Sequence, residues 1–315
     1  EPCSRSHRAS ALRLLVDHVP PPYRQDVERE LANELRWSLG VSNTIWVARR
    51  GNQVLAAAWT AVDGALVLDL WPPRVADGPA DPELLSRRLL GRIVDWGRRE
   101  GLRLALMLVD PTETTAVEPS LAPLGFRRIA PIDSLAIELT NHLPVSSEDG
   151  SGQSPFSWIT RDQLGWERFA SVWSQCLRES QDLPELWDWL SLEDCGRSYP
   201  RRPELGYAGW LAGRLVGHDD LSAVVIFSPG RESDQWTLSF LGLIPSARGR
   251  GLGRVVMRDA LEWVARQGGT RVELAVDHRN ERASRLYTRA GFTMVTQRVL
   301  FVRGLVPNPA TQRSS

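Results

Sequence analysis

The feature that most constrains this chain is that it repeats itself. Ile93-Val-Asp-Trp-Gly-Arg-Arg-Glu-Gly-Leu-Arg-Leu-Ala-Leu-Met-Leu-Val-Asp110 aligns with Ala260-Leu-Glu-Trp-Val-Ala-Arg-Gln-Gly-Gly-Thr-Arg-Val-Glu-Leu-Ala-Val-Asp277. Trp96 and Trp263 lie 167 positions apart, as do Asp110 and Asp277, and Gly125-Phe126 matches Gly291-Phe292 at an offset of 166. A repeat of that length has the size of a domain, and 315 residues supply material for two cores. The chain is therefore expected to fold as two copies of one unit.

Both copies read as the same order of elements, α, α, β, β, β, α, β, α, β. In the first, residues 10–16 and 21–39 read as helices, with Val27, Leu31, Leu35 and Leu39 forming one apolar stripe. Strands at 44–48 and 53–62 flank Gly51-Asn52 as a tight hairpin, and Pro72-Pro73 closes a strand at 65–71. A helix (82–99), a strand (102–109), a short helix near Ser120 and a final strand pair (126–139) follow. In the second copy, 162–179 and 183–192 read as helices, and 207–212 and 215–227 as a hairpin around Gly213-Arg214. A strand at 237–244, a helix running to Gln267, a strand (270–276), a helix (281–290) and a closing strand (292–302) complete it. The expected class is α+β, each domain a mixed, mostly antiparallel sheet flanked by helices. The Gly-, Ser- and Pro-rich stretch 141–155 reads as a linker between domains at 1–140 and 156–305, with 306–315 a flexible tail.

The copies differ at one turn. After the apolar strand at 237–244, Pro245 ends pairing and Arg248-Gly-Arg-Gly-Leu-Gly253 leads into a helix with Leu252, Val255, Val256, Ala260, Leu261 and Val264 on one face. Bare backbone at Gly249, Gly251 and Gly253, beside a helix N-terminus, suits a phosphate or pyrophosphate, with Arg248 and Arg250 adding charge. At the matching place the first copy has Pro72-Pro-Arg-Val-Ala-Asp77-Gly-Pro79-Ala-Asp81-Pro82. Prolines lack N–H donors and Asp77 and Asp81 repel anions, so this loop is a poor cradle.

Formal net charge is zero, which gives no electrostatic footprint for nucleic acid. All 38 basic residues are Arg, so no lysine nucleophile or Schiff base is available. Cys3, Cys176 and Cys195 fit no metal spacing, and Cys176 in an apolar helical stripe reads as a buried thiol. No run approaches the ~18 apolar residues of a membrane span and no signal pattern opens the chain, so a cytoplasmic location without a membrane partner is expected. The chain starts at Glu1 rather than Met, which reads as processed or trimmed.

A second motif, Val276-Asp-His-Arg-Asn280-Glu-Arg-Ala283-Ser-Arg-Leu286-Tyr287-Thr-Arg-Ala-Gly291-Phe292, follows the glycine turn. With Arg248-x-x-Gly251-x-Gly253, it makes 156–304 resemble a GCN5-related N-acetyltransferase (GNAT), and residues 1–140 resemble a degenerate copy in a tandem GNAT protein. The resemblance implies an acetyl-CoA-dependent N-acetyltransferase acting on a small-molecule or peptide amine, without a metal. It places pantetheine along Leu243 and Ile244, pyrophosphate on Arg248, Gly249, Arg250, Gly251, Leu252 and Gly253, and Asn280 and Ser284 beside the cofactor. Tyr287 takes the position that protonates the departing thiolate. A non-catalytic acyl-CoA-binding or regulatory module is the alternative. Candidates for the base are Asp219, Asp220, Glu232, Asp234, Glu273 and His278, without a choice among them. Trp166, Phe169, Trp173 and Leu177 step as core, whereas one of Trp187 and Trp189 is a candidate to reach the acceptor cleft. Monomer and homodimer both stay open.

Overall fold

The computed structural model describes residues 1–35, 41–63, 66–139, 154–199, 206–230 and 232–306. The linker at 141–153 and the tail from 307 lie outside them. The chain forms two compact units that do not follow the sequence halves. One comprises Glu1–Ala130, Glu185–Ser198 and Arg298–Ser315, the other Pro131–Pro184 and Tyr199–Gln297.

In the first unit, α1 (Arg8–Leu15) and α2 (Pro21–Glu34) precede β1 (Val41–Arg50), β2 (Gln53–Asp63), β3 (Val67–Leu70) and the two-residue β4 (Arg74–Val75). Next come α3 (Pro82–Arg99), β5 (Leu104–Val109) and α4 (Thr114–Leu121). Asp81 starts α3 by accepting the Leu84 N–H at 2.8 Å, with Pro82 at the first helical position. Strands β1, β2 and β3 pair antiparallel, and β3 pairs parallel with β5. Leu68, Leu70, Ile93, Met107 and Phe126 form a core under α3, while Leu12, Leu15, Ile45 and Trp59 form a second under α1 and α2.

Two strands change unit part-way along. The expected final strand pair at 126–139 is one strand, β6 (Arg127–Glu138), whose segment from Pro131 belongs to the second unit. The last strand, β12 (Thr293–Gly304), enters the first unit at Arg298 and pairs antiparallel with β5, from Val299↔Val109 to Gly304↔Leu104. Phe301 and Leu305 thus fill the first unit's core, and Leu135 and Ile137 the second's. Hydrophobic alternation marks such strands as half-buried but names no partner, so the sequence could not show the exchange.

The second unit adds β7 (Phe156–Thr160), α5 (Arg161–Leu164), α6 (Trp166–Leu177), β8 (Trp210–Leu215), β9 (Leu221–Pro229) and β10 (Gln235–Leu243). Then follow α8 (Leu252–Arg266), β11 (Arg271–Asp277) and α9 (Glu281–Arg289), strands running in the order β6-β11-β10-β9-β8-β7. Strand β7 was not expected. The helix at 162–179 is split at Gly165, whose φ of 84° suits glycine and ends the first segment. Gly213 and Arg214 lie within β8, paired with Ala223 and Leu221 across a bulge, so the hairpin turns beyond them. The helix expected at 183–192 is instead a 3₁₀ turn (Pro184–Asp188) followed by α7 (Leu192–Ser198).

That segment belongs largely to the first unit, where Arg103 pairs with the buried Asp194 and Arg127 stacks over Trp189 at 5.1 Å. Trp189 also lies against Gly304. It is therefore a packing residue of the first unit and not an acceptor-cleft residue. Phe169 and Trp173, both fully buried, pack with Trp210 and Phe240 on the α6 side of the second unit. Among the described residues no helix is long and apolar enough to cross a membrane.

Candidate active site

Strands β10 and β11 run parallel but pair only at Gln235↔Arg271, Trp236↔Val272 and Thr237↔Glu273. Beyond this, β10 continues to Leu243 and β11 to Asp277 without pairing to each other. A bulge explains the parting. On the other edge of β10, Leu238 pairs with Phe227 and Phe240 with Ile226, so Ser239 is an inserted residue that bends the strand away. The Ser239 hydroxyl lies 2.7 Å from that of Ser228, and its carbonyl accepts from the Tyr199 hydroxyl at 3.4 Å.

The wedge between the strands opens toward the glycine turn. Gly249 (φ 74°) and Gly251 (φ 75°) are left-handed, and a Cβ on either would meet nothing within 4 Å. The glycines are therefore needed for backbone conformation, and the space above them is free. No side chain caps α8, so its first amides retain their donor capacity beside the positive end of the helix dipole. The arrangement fits a pyrophosphate.

Arg248 takes a different part from the one expected. Its Nε donates to the Leu243 carbonyl at 3.0 Å, and its Nη2 to the carbonyls of Cys176 and Arg178 at 2.9 and 2.7 Å. The guanidinium thus straps the C-terminus of α6 to the end of β10, where a cation suits orphaned carbonyls. Its charge is spent inside the protein, leaving only its backbone for the turn. Arg250 is exposed there.

On the far side of the wedge, Tyr287 of α9 is buried and meets Phe292 edge-on at 5.8 Å. Burial, and then the charge of Asp182, push its phenol well above the ordinary range. Asp182 lies on a short segment after α6 in which Glu179 and Leu183 carry positive φ of 60° and 43°, a strained backbone for side chains of that size. Its Oδ1 accepts the Asp277 N–H at 3.0 Å, at the end of β11. Desolvation raises the Asp182 carboxyl, although the residue is exposed; the Asp277 N–H bond works against that rise and the Asp277 charge adds a smaller one. A carboxylate bonded to the end of β11 and a phenol that senses its charge thus both belong to the side of the wedge where the strands part.

Residues 166–292 match the family model described as "Acetyltransferase (GNAT) family". A mycothiol acetyltransferase of Thermobispora bispora is 30% identical over 224 residues, covering 70% of this chain and 71% of that relative. This chain belongs to the GNAT family. It is a GNAT N-acetyltransferase, and the family uses acyl-CoA donors and acylates amines. Two solved structures share the fold. One is a tandem GNAT protein from the clavulanic acid biosynthesis pathway (TM-score 0.53, 17% identity, 97% of this chain and 98% of that one). The other is a GCN5-related N-acetyltransferase from Sphaerobacter thermophilus (TM-score 0.56, 19% identity, 96% and 92%).

In this GNAT chain the remaining candidates divide clearly. Leu243 is half-buried on the core, and the Ile244 N–H donates to the Ser222 carbonyl at 3.0 Å. Leu252 opens α8, and Gly253 faces Leu286 at ordinary contact distance. Asn280 caps α9, its oxygen accepting the Ala283 N–H at 3.2 Å, and the Ser284 hydroxyl donates to the Asn280 carbonyl at 3.1 Å. Both side chains thus also hold their own helix start.

Of the base candidates, Asp234 accepts from the Thr270 hydroxyl at 2.6 Å, beside the paired end of β10 and β11. Asp219 and Asp220 are exposed between β8 and β9, and Glu273 is paired with Arg271. His278 Nδ1 lies 2.8 Å from the buried Asp133, which also accepts from Gln297. That hydrogen bond, then the Asp133 charge, raise the His278 pKa. Asp182 was missed because Ser180-Gln-Asp-Leu-Pro184 has no periodicity or motif. Cys176 is buried and its thiol is pushed up to about 12 by desolvation, matching the inert thiol expected. Among the described residues no group of three or more His, Cys, Asp or Glu side chains is placed to hold a metal.

Proposed function

We propose that this enzyme transfers the acetyl group of acetyl-CoA to a primary amine in the wedge between β10 and β11. The observation carrying this reading is the parting of those strands directly before an uncapped helix with left-handed glycines. Backbone amides of residues 248–253 hold the pyrophosphate, and the unpaired edge of β10 near Leu243 and Ile244 receives the pantetheine arm.

The neutral amine attacks the thioester carbonyl. A C–N bond forms, the C–S bond breaks, the amine proton goes to Asp182 and the thiolate takes a proton from Tyr287. The two transfers are coupled. While Asp182 is ionised it raises the Tyr287 phenol and keeps its proton in place; once Asp182 accepts the amine proton that charge is gone and the phenol becomes a better acid. The raised carboxyl of Asp182 also makes it a stronger base than an ordinary aspartate. After the product leaves, Asp182 gives its proton to solvent and Tyr287 regains one, which restores both groups.

Similarity to a mycothiol acetyltransferase makes a mycothiol-type amine the first acceptor to try. Free-thiol release is measured with acetyl-CoA across an amine panel for the parent chain, Tyr287→Phe and Asp182→Asn. Turnover with at least one amine, reduced in both variants while acetyl-CoA still binds, is the expected result. Binding without turnover on any amine would favour a regulatory acyl-CoA-binding module.

A further inference from the structure

The first unit holds a cavity of about 600 Å³ that the acyl transfer does not use. It lies on the α1 and α2 face of the sheet, beside the ends of β3 and β5. At the positions matching the second unit's chemistry there is no counterpart: Leu121 stands where Tyr287 stands, its carbonyl accepting the Phe126 N–H at 3.3 Å as that of Tyr287 accepts the Phe292 N–H at 3.1 Å. The proline-filled loop replaces the glycine turn. What the cavity retains is a binding surface.

Its distinctive group is Asp69. On β3, Leu68 and Leu70 point into the core under α3, so the two-residue period turns Asp69 to the opposite face and into the cavity. Among the described residues the Asp69 carboxyl makes no hydrogen bond and no ion pair, and burial without a partner raises its pKa to about 6. At neutral pH it is an uncompensated negative charge, which the fold carries at a cost in stability.

The neighbouring groups do not relieve it. Both terminal nitrogens of Arg74 are held by the Glu113 carboxylate, at 2.7 and 3.0 Å. His18 has its pKa lowered by burial and then by Arg74, so it is neutral. Asp110 is kept ionised by bonds from Thr112. Arg298, from β12, is exposed at the cavity's edge. The walls beside Asp69 include Trp59 and Trp71, whose rings are 5.7 Å apart and tilted by 31°.

We propose that this cavity is a binding site for a small organic ammonium ion, with Asp69 pairing the charged nitrogen and the two indoles flanking an apolar or aromatic body. An unpaired carboxylate beside electron-rich ring faces selects a cation. A neutral ligand leaves Asp69 unmatched, and an anion meets the unmatched Asp69 carboxylate while Arg74 is held by Glu113. The site binds an amine without acylating it.

Isothermal titration of the full chain with 2-phenylethylamine tests this, with 2-phenylethanol and phenylacetate as neutral and anionic controls. The amine is expected to bind the parent chain and Gly251→Asp alike, at least about tenfold more weakly to Asp69→Asn, and more weakly as pH falls through about 6. Trp71→Ala, at an exposed position, is expected to weaken the same binding and stands in should Asp69→Asn fail to fold. Equal affinity for Asp69→Asn, or for phenylacetate in place of the amine, would overturn the proposal. So would amine binding lost in Gly251→Asp but retained in Asp69→Asn; that result assigns the amine to the second unit and leaves the acyl-transfer reading standing.

Discussion

The two units share a turn down to its atoms yet differ in whether the parallel strands beside it part. Asp110 Oδ1 accepts the Thr112 N–H at 2.8 Å, and Asp277 Oδ1 accepts the Arg279 N–H at 2.9 Å, the same turn after the same strand. Val109 pairs with Val299 as Val276 pairs with Asp133. Yet β3 stays paired with β5 along its whole length, from Val67↔Leu104 to Leu70↔Met107, whereas β10 leaves β11 after three pairs. Strand β3 stops at Leu70, before Trp71-Pro72-Pro73, while the Ser239 bulge bends β10. Two parallel strands that part and a turn of bare amides make up the cleft proposed for the donor. One unit has both, the other neither.

The comparison can be broken by matched substitutions. Asp182→Asn is expected to lower kcat about 10²–10⁴-fold and to abolish the rise of activity with pH, a rise that lies above the ordinary aspartate value because the carboxyl is raised. Ser120→Ala, beside the Leu121 that matches Tyr287, leaves turnover within about twofold; a large loss would show that the first unit takes part in the chemistry. Gly251→Asp puts a carboxylate in the turn proposed for the pyrophosphate and should weaken acyl-CoA binding about 100-fold by titration. Gly251→Asn, which tolerates the same φ without the charge, should cost far less, and Ala80→Asp in the proline loop nothing.

The equivalent aspartates sharpen the contrast in stability. Asp277 is fully buried and bonded to Arg279, whereas Asp110 is exposed. Urea unfolding should show Asp277→Asn costing about 2–3 kcal/mol and Asp110→Asn less than about 1. Asp69→Asn has the opposite sign. A carboxyl at about 6 in the fold and 3.8 when free is penalised once it ionises, so stability is lost as pH rises through that window. The variant should gain about 1 kcal/mol at pH 7 and lose the gain toward pH 4.

Much of the turn and helix after β10 could be read directly, because their signals are local. Glycines at left-handed positions, a proline closing a strand and an amphipathic helix are properties of neighbouring residues. The side chain of Arg248 could not be read this way: its partners Cys176 and Arg178 lie some seventy positions away, and only packing showed that it straps α6. Asp182 escaped for the same reason, its partner Asp277 being 95 positions distant. The hairpin expected at Gly213-Arg214 failed because glycine serves a bulge as readily as a turn.

The sequence by itself determined that the chain is duplicated, that each half mixes helices with a sheet, and that one half alone carries a phosphate-type turn. These follow from periodicity and turn chemistry, which act over a few residues. The tertiary structure decided where β6 and β12 are shared out, that β10 and β11 part, and that Asp182 is bonded to the end of β11. It also decided that Asp69 sits in a cavity without a partner. Strand pairing and the burial of charge depend on groups brought together from distant parts of the chain, and an alternating pattern fixes a strand's buried face but not its neighbour.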